Sequence, residues 1–220
     1  MSMTDHDFDN YWTSTETYEA LKVYIQMNFD GLNHMITRLI AGEKIEINSA
    51  KFQNDMTTFN SADDILTLLV HLGYLTFDFY TKQVWIPNSE VAQEFINSIE
   101  DGGWEEVMRS IKSSDELIFA TLDCNEPKVA ELIGQTHQDN TLILKYNDEN
   151  SLACVISLAY YSARKSYTVE SELPAGKGFA DLVFKPRKSC HSPALIVELK
   201  YDGSAGGAIE QIKISSTPTV

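Results

Sequence analysis

Between Gly178 and Lys200 the chain holds two short apolar runs, Phe179-Ala180-Asp181-Leu182-Val183-Phe184 and Ala194-Leu195-Ile196-Val197-Glu198-Leu199-Lys200. Each contains an acid that a covered strand ordinarily avoids. Sixteen residues lie between Asp181 and Glu198, room for a strand, a turn and a strand. On the first run Phe179, Asp181 and Val183 share one face, and Ala180, Leu182 and Phe184 the other. Both faces are apolar apart from Asp181, the pattern of a strand covered on two sides. On the second run Glu198 and Lys200 are two apart and point the same way. Such a strand tolerates acid and base only where they satisfy one another or a ligand.

Two readings stand. Glu198 and Lys200 can form a structural pair at a strand end, or two carboxylates and an ammonium can converge at a sheet edge around a divalent cation. Mg2+ (or Mn2+) is a hard ion that prefers oxygen ligands, and Asp181 and Glu198 supply them together with a strand carbonyl and waters. Such an ion lowers the pKa of a bound water and neutralises charge developing on a phosphodiester. Lys200 would orient the water or stabilise the transition state.

The flanking sequence frames this site. Leu152, Val155, Ile156, Ala159, Tyr160 and Ala163 give the stripe of a helix over roughly 148–165 lying on a sheet. Glu149 falls on the same inward face at the helix N-terminus. It either complements the helix dipole or meets a cation; the sequence leaves both open. Tyr167–Leu173 reads as a strand, Pro174–Gly178 as a turn, and Pro186–Ser192 as a polar, basic turn. Ser204 caps a final helix with Ala205, Ala208, Ile209 and Ile212 buried and Gln211 at its edge.

Upstream, residues 17–41 look helical in two pieces broken near Asp30-Gly31, with Asp30 or Asn33 as cap of the second. Ser61-Ala62-Asp63-Asp64 opens a buried helix that Gly73 ends. Tyr74–Phe79 and Gln83–Pro87 make a strand pair, and Asn88 opens a helix to about Ile99. Helix, tight strand pair, helix is a winged-helix-like outline. A DNA reader needs Lys and Arg on its helix and wing, and this segment offers Lys82 and little else, so a protein-facing module is expected here. A soft boundary falls between 101 and 113. Residues 115–135 read as helix with Pro127 at a turn, and Thr141–Lys145 reads equally as helix or strand.

Charge divides the chain. The net charge is −15, but residues 151–220 hold eight Lys/Arg against six Asp/Glu, whereas residues 1–150 hold nine against 26. The C-terminal half suits a nucleic acid; the acidic half repels phosphate and would dock a protein. Cys124, Cys154 and Cys190 form no C-x-x-C pair, which disfavours a zinc site and fits reduced thiols. The acidic, polar N-terminus is unlike a signal peptide, and no stretch is long enough to span a bilayer. A cytoplasmic protein without membrane contact is expected.

The segments Asn147-Asp148-Glu149-Asn150, Gly176–Asp181, Pro193–Tyr201 and Ala208–Ile212 resemble the PD-(D/E)XK nuclease superfamily. The closer likeness is to the branch that follows AAA-ATPase-like modules in bacterial proteins; Gly73-Tyr74-Leu75-Thr76 and Ile86–Val91 resemble the linker of that branch. The resemblance implies an α+β, restriction-endonuclease-like core (helix-strand-strand-strand-helix) at about 115–220, behind a mostly helical, winged-helix-like module at about 1–110. It implies a metal-dependent nuclease acting on DNA, with Asp181 and Glu198 as metal ligands and Lys200 as the catalytic lysine. Glu149 would be the helix acid and Gln211 the glutamine after the core strands. No G-x-x-x-x-G-K-[ST] loop occurs, so the ATPase-like part is absent from this sequence. After Lys213 the family continues its helix and adds a strand, whereas Ile214–Val220 contains Pro218 and a Ser/Thr cluster. A truncated last strand and lost activity are therefore expected possibilities, and the alternative function is a non-catalytic protein-interaction module on the same fold.

Overall fold

The computed structural model describes residues 16–27, 29, 31–48, 59–144, 149–175, 178–188 and 190–199, with backbone alone for 16–20, 141–144, 149–150, 172–175 and 178–180. The chain divides into two compact units, Met1–Met108 and Arg109–Val220.

The first unit runs α1 (Glu16–Ile25), α2 (Leu32–Ile40), β1 (Ile45–Glu46), α3 (Ala62–His71), β2 (Thr76–Phe77), β3 (Gln83–Trp85) and α4 (Ser89–Asp101). Its buried side chains include Leu21, Ile25, Ile36, Ile65, Leu69, Phe95 and Ile99, all within 2 % of complete burial. Each such side chain contributes roughly 1.5–3 kcal/mol. The helix ends follow from local chemistry. The Ser61 hydroxyl accepts from Asp64 N at 3.3 Å while the Asp64 carboxylate accepts from Ser61 N at 3.0 Å, closing a capping box. Beyond the last turn of α3, Gly73 adopts φ +83°. Asn88 caps α4 through a 2.9 Å bond from Val91 N. The expected Asn33 cap is corrected: Gly31, at φ +82°, is the N-cap of α2, and Asn33 lies one residue inside the helix. The alternative Asp30 lies outside the described residues.

The strand pair is present but short, and an unexpected strand, β1, pairs with β3 so that the sheet order is β1-β3-β2. At the tip Asp78 accepts from Tyr80 N at 2.7 Å and Thr81 N at 3.3 Å, so these bonds hold its carboxyl below the usual range. Lys82 takes φ +57° and lays its ammonium 5.8 Å from the Phe77 ring and 5.4 Å from the Phe79 ring. Phe79 and Tyr80 stand in solvent.

The second unit contains α5 (Glu105–Leu122, beginning just before the boundary), α6 (Glu126–Leu144), α7 (Glu149–Ala159), a 3-10 helix (Tyr161–Lys165), β4 (Tyr167–Ala175), β5 (Gly178–Pro186) and β6 (Leu195–Val197). The ambiguous Thr141–Leu144 is the last turn of α6, and Pro127 sits in that helix's first turn, where a missing N–H costs nothing. The expected single stripe over 148–165 is also corrected. Every residue from Cys154 to Tyr160 is buried, and the chain tightens into 3-10 geometry before Ala163.

β4, β5 and β6 form an antiparallel sheet in that order. The expected turn over Pro174–Gly178 is corrected: Pro174, Ala175 and Gly178 belong to the paired strands, with Ala175 opposite Gly178. Pro174 is tolerated because, among the described residues, β4 is an edge strand. Leu182 and Phe184 pack with Ile156, Ala159, Tyr160 and Tyr167 into a core that Leu117 and Leu132 complete. The Tyr160 and Phe184 rings lie 5.2 Å apart. Thr121 donates to Leu117 O at 2.8 Å, so Tyr160 is the donor in its 2.8 Å bond with the Thr121 hydroxyl. The observed helices with two three-stranded antiparallel sheets accord with an α+β chain. Among the described residues no helix is long and apolar enough to cross a membrane.

Candidate active site

The β5–β6 register pairs Phe184 with Leu195, Val183 with Ile196 and Leu182 with Val197. One residue beyond the last paired positions stand Asp181, on β5, and Glu198, just past the end of β6. By strand alternation Asp181 lies on the opposite face of β5 from Leu182. That face is the side away from the helices. Leu182, Phe184, Leu195, Val197 and Leu199 belong to the core packed by α5, α6 and α7, so Asp181, Val183 and Ile196 occupy the reverse face.

Asp181 also ends the ladder. Its Oδ2 accepts a hydrogen bond from Leu199 N at 2.6 Å, which turns the main chain of β6 toward the acid. A side-chain carboxylate thereby stands in for a backbone carbonyl. This explains why pairing stops at Val197 instead of running to Lys200 as the sequence suggested. Asp181 and Glu198 are both half-buried. Leu199 is 7 % exposed, which anchors the segment between Glu198 and residue 200 in the core. The sequence held no sign of this amide–carboxylate bond, because it depends on register rather than composition.

The other expected site residues divide by location. Glu149 is the first residue of α7, the helix whose core residues face Leu182 and Phe184. Lys200 and Gln211, with the final helix and the C-terminal segment expected to be truncated, lie outside the described residues. Among the described residues no group of three or more His, Cys, Asp or Glu is arranged to hold a metal ion. Carboxylates such as those of Asp181 and Glu198 nevertheless fit the donor chemistry of a hard divalent ion that takes its remaining ligands from water and main chain.

On Asp181's face β4 and β5 also carry an ion pair. Lys185 Nζ lies 2.7 Å from Glu170 Oε2, a diagonal contact made possible by the Glu170–Val183 and Thr168–Lys185 pairing. The turn after β5 is fixed by Arg187 N donating to Ser166 O at 2.9 Å, Cys190 N donating to Arg187 O at 2.8 Å, and the Tyr167 hydroxyl donating to Pro193 O at 3.0 Å.

Residues 147–218 match the sequence model of the PD-(D/E)XK nuclease superfamily. The match covers about a third of the chain and contains β4, β5, β6, Asp181 and Glu198. Nucleases of this superfamily generally use divalent metals, so the match points to nuclease chemistry in the second unit. No curated protein and no solved structure matches the chain.

Proposed function

We propose that this protein is a metal-dependent nuclease that hydrolyses DNA phosphodiester bonds at Asp181 and Glu198. The observation that carries the reading is the Asp181 carboxylate bound to Leu199 N, the residue after Glu198, inside the nuclease-superfamily segment. Asp181 and Glu198 would hold Mg2+ or Mn2+, which supplies an activated water and offsets charge on the phosphate. Asp181, steadied by Leu199 N, keeps its carboxylate oriented before any ligand arrives. Lys200, two residues beyond Glu198, would donate to the scissile phosphate, Glu149 would assist from the start of α7, and Gln211 would contact the water or Lys200.

The first unit is read as a winged-helix-like module, supported by the order α2, β1, α3, β2, β3 and by the β1-β3-β2 sheet. Its likeness to linkers of the AAA-ATPase-associated branch supports a placement of the whole chain in that branch.

The test is cleavage of single-stranded and duplex DNA during a magnesium or manganese titration, with calorimetry of metal binding. Wild type is expected to cut only with metal. Asp181→Asn and Glu198→Gln are expected to abolish both cutting and metal binding. Metal binding of wild-type strength in the double variant would end the proposal.

A further inference from the structure

A row of cations runs away from the acids along β5 and into the turn that follows it. Lys185 shares Asp181's face of the strand, four residues on, and Arg187 and Lys188 come next, both exposed. The Arg187 N–Ser166 O bond brings this turn against the end of the 3-10 helix, where Lys165 is 70 % exposed. Among the described residues the acids set against these four cations are Glu170, 2.7 Å from Lys185, and Asp115, 3.1 Å from Lys165. Among those residues the group keeps a surplus of positive charge, in a protein whose net charge is −15. A solvated charge run needs no such placement. Here the main chain fixes the turn at both ends, through Ser166 O and through Tyr167, whose carbonyl accepts from Arg187 Nε at 3.3 Å and whose hydroxyl donates to Pro193 O.

We propose that Lys185, Arg187 and Lys188, with Lys165 beside them, grip the phosphate backbone of duplex DNA at a set distance from the bond presented to Asp181 and Glu198. The inference rests on the nuclease reading and adds to it the form of the substrate and the direction in which it lies. Four to six residues of extended strand separate Asp181 from Lys185 and Arg187, about 13–20 Å. At about 3.4 Å per base pair that is four to six base pairs of duplex to one side of the cut. The contacts are to phosphate, so they add affinity and register without sequence preference. Arg187 offers a forked donor pair and the lysines point charges, the usual means of holding phosphate oxygens.

The experiment measures binding apart from cutting. Fluorescence anisotropy of a labelled 30-base-pair duplex is followed against salt concentration in EDTA, with full-length wild type, Asp181→Asn, Lys188→Gln and Arg187→Gln/Lys188→Gln. The slope of log K against log salt is expected to fall by about 0.9 for Lys188→Gln and about twice that for the double variant. Asp181→Asn is expected to keep the wild-type slope. On duplexes reaching fewer than about four base pairs beyond the cut, the variants and wild type are expected to bind alike. A wild-type slope in the double variant, or no duplex binding by wild type, overturns the inference. Because Lys188 is exposed on a turn, its variant keeps the test free of folding defects. Failure of wild type to cut with metal, alongside the expected change in slope, would remove the nuclease reading and leave the grip standing.

Discussion

At the scale of single residues, two carboxylates illustrate how differently an acid can be housed. Asp181 sits inside β5, where the pairing with β6 ends, and finds a main-chain donor at 2.6 Å; its position is set by a bond. Glu94, on α4, is 4 % exposed, and burial pushes its carboxyl above the ordinary range. A carboxyl raised in this way holds its proton more tightly folded than unfolded. Stability therefore falls as pH rises from the ordinary carboxylate value through the raised one, and stays lower above it. Glu94→Gln is expected to raise the melting temperature near neutral pH, with the gain shrinking as pH is lowered toward about 4. A gain independent of pH would assign the effect to packing instead. Asp181 stood out from sequence because an acid inside an apolar strand is costly. Glu94 did not, since an acid in the first half of an amphipathic helix looks like any solvent-facing residue.

At the scale of elements, the capping box at Ser61, the cap at Asn88 and the three strands of the second unit were legible because each has a local signature in residue type or spacing. What escaped was non-local. β1 is two residues long and exists only because β3 pairs with it, and the early end of β6 depends on a side chain seventeen positions away in sequence from Glu198. The all-round burial of Cys154–Tyr160 was missed because a stripe of apolar residues does not reveal that small polar residues such as Ser157 are also covered. Gly73 offers a clean test of element ends. It adopts φ +83°, and a Cβ added there would meet nothing within 4 Å, so only backbone strain is at issue. Gly73→Ala is expected to cost about 1–2 kcal/mol, measured as a lower midpoint in denaturant unfolding with unchanged slope. An unchanged midpoint would mean that the end of α3 relaxes into another geometry.

At the scale of the whole molecule, charge is the property most plainly written in the sequence: an acidic N-terminal part and a mildly basic C-terminal part, in a chain that divides near residue 108. The site acids lie in the basic part, so a divalent ion held between them would deepen the contrast. Binding of that ion to the folded state alone adds stability by mass action, about 2.7 kcal/mol at one hundred times its Kd. For a chain of this size that is a rise in melting temperature of roughly 5–10 °C with saturating Mg2+ or Mn2+. Asp181→Asn is expected to show no such rise, and an equal rise in the variant would locate the ion elsewhere.

The burial of Leu199 carries a consequence for how this sequence can drift. A slip of one position between β5 and β6 would send a leucine into water and a glutamate into oil, so hydrophobicity itself polices the alignment on which the acids depend. Insertions between Arg187 and Pro193 would lengthen a loop at small entropic cost. A single residue inserted between Leu195 and Leu199 would shift Glu198 relative to Asp181 while leaving every side chain intact.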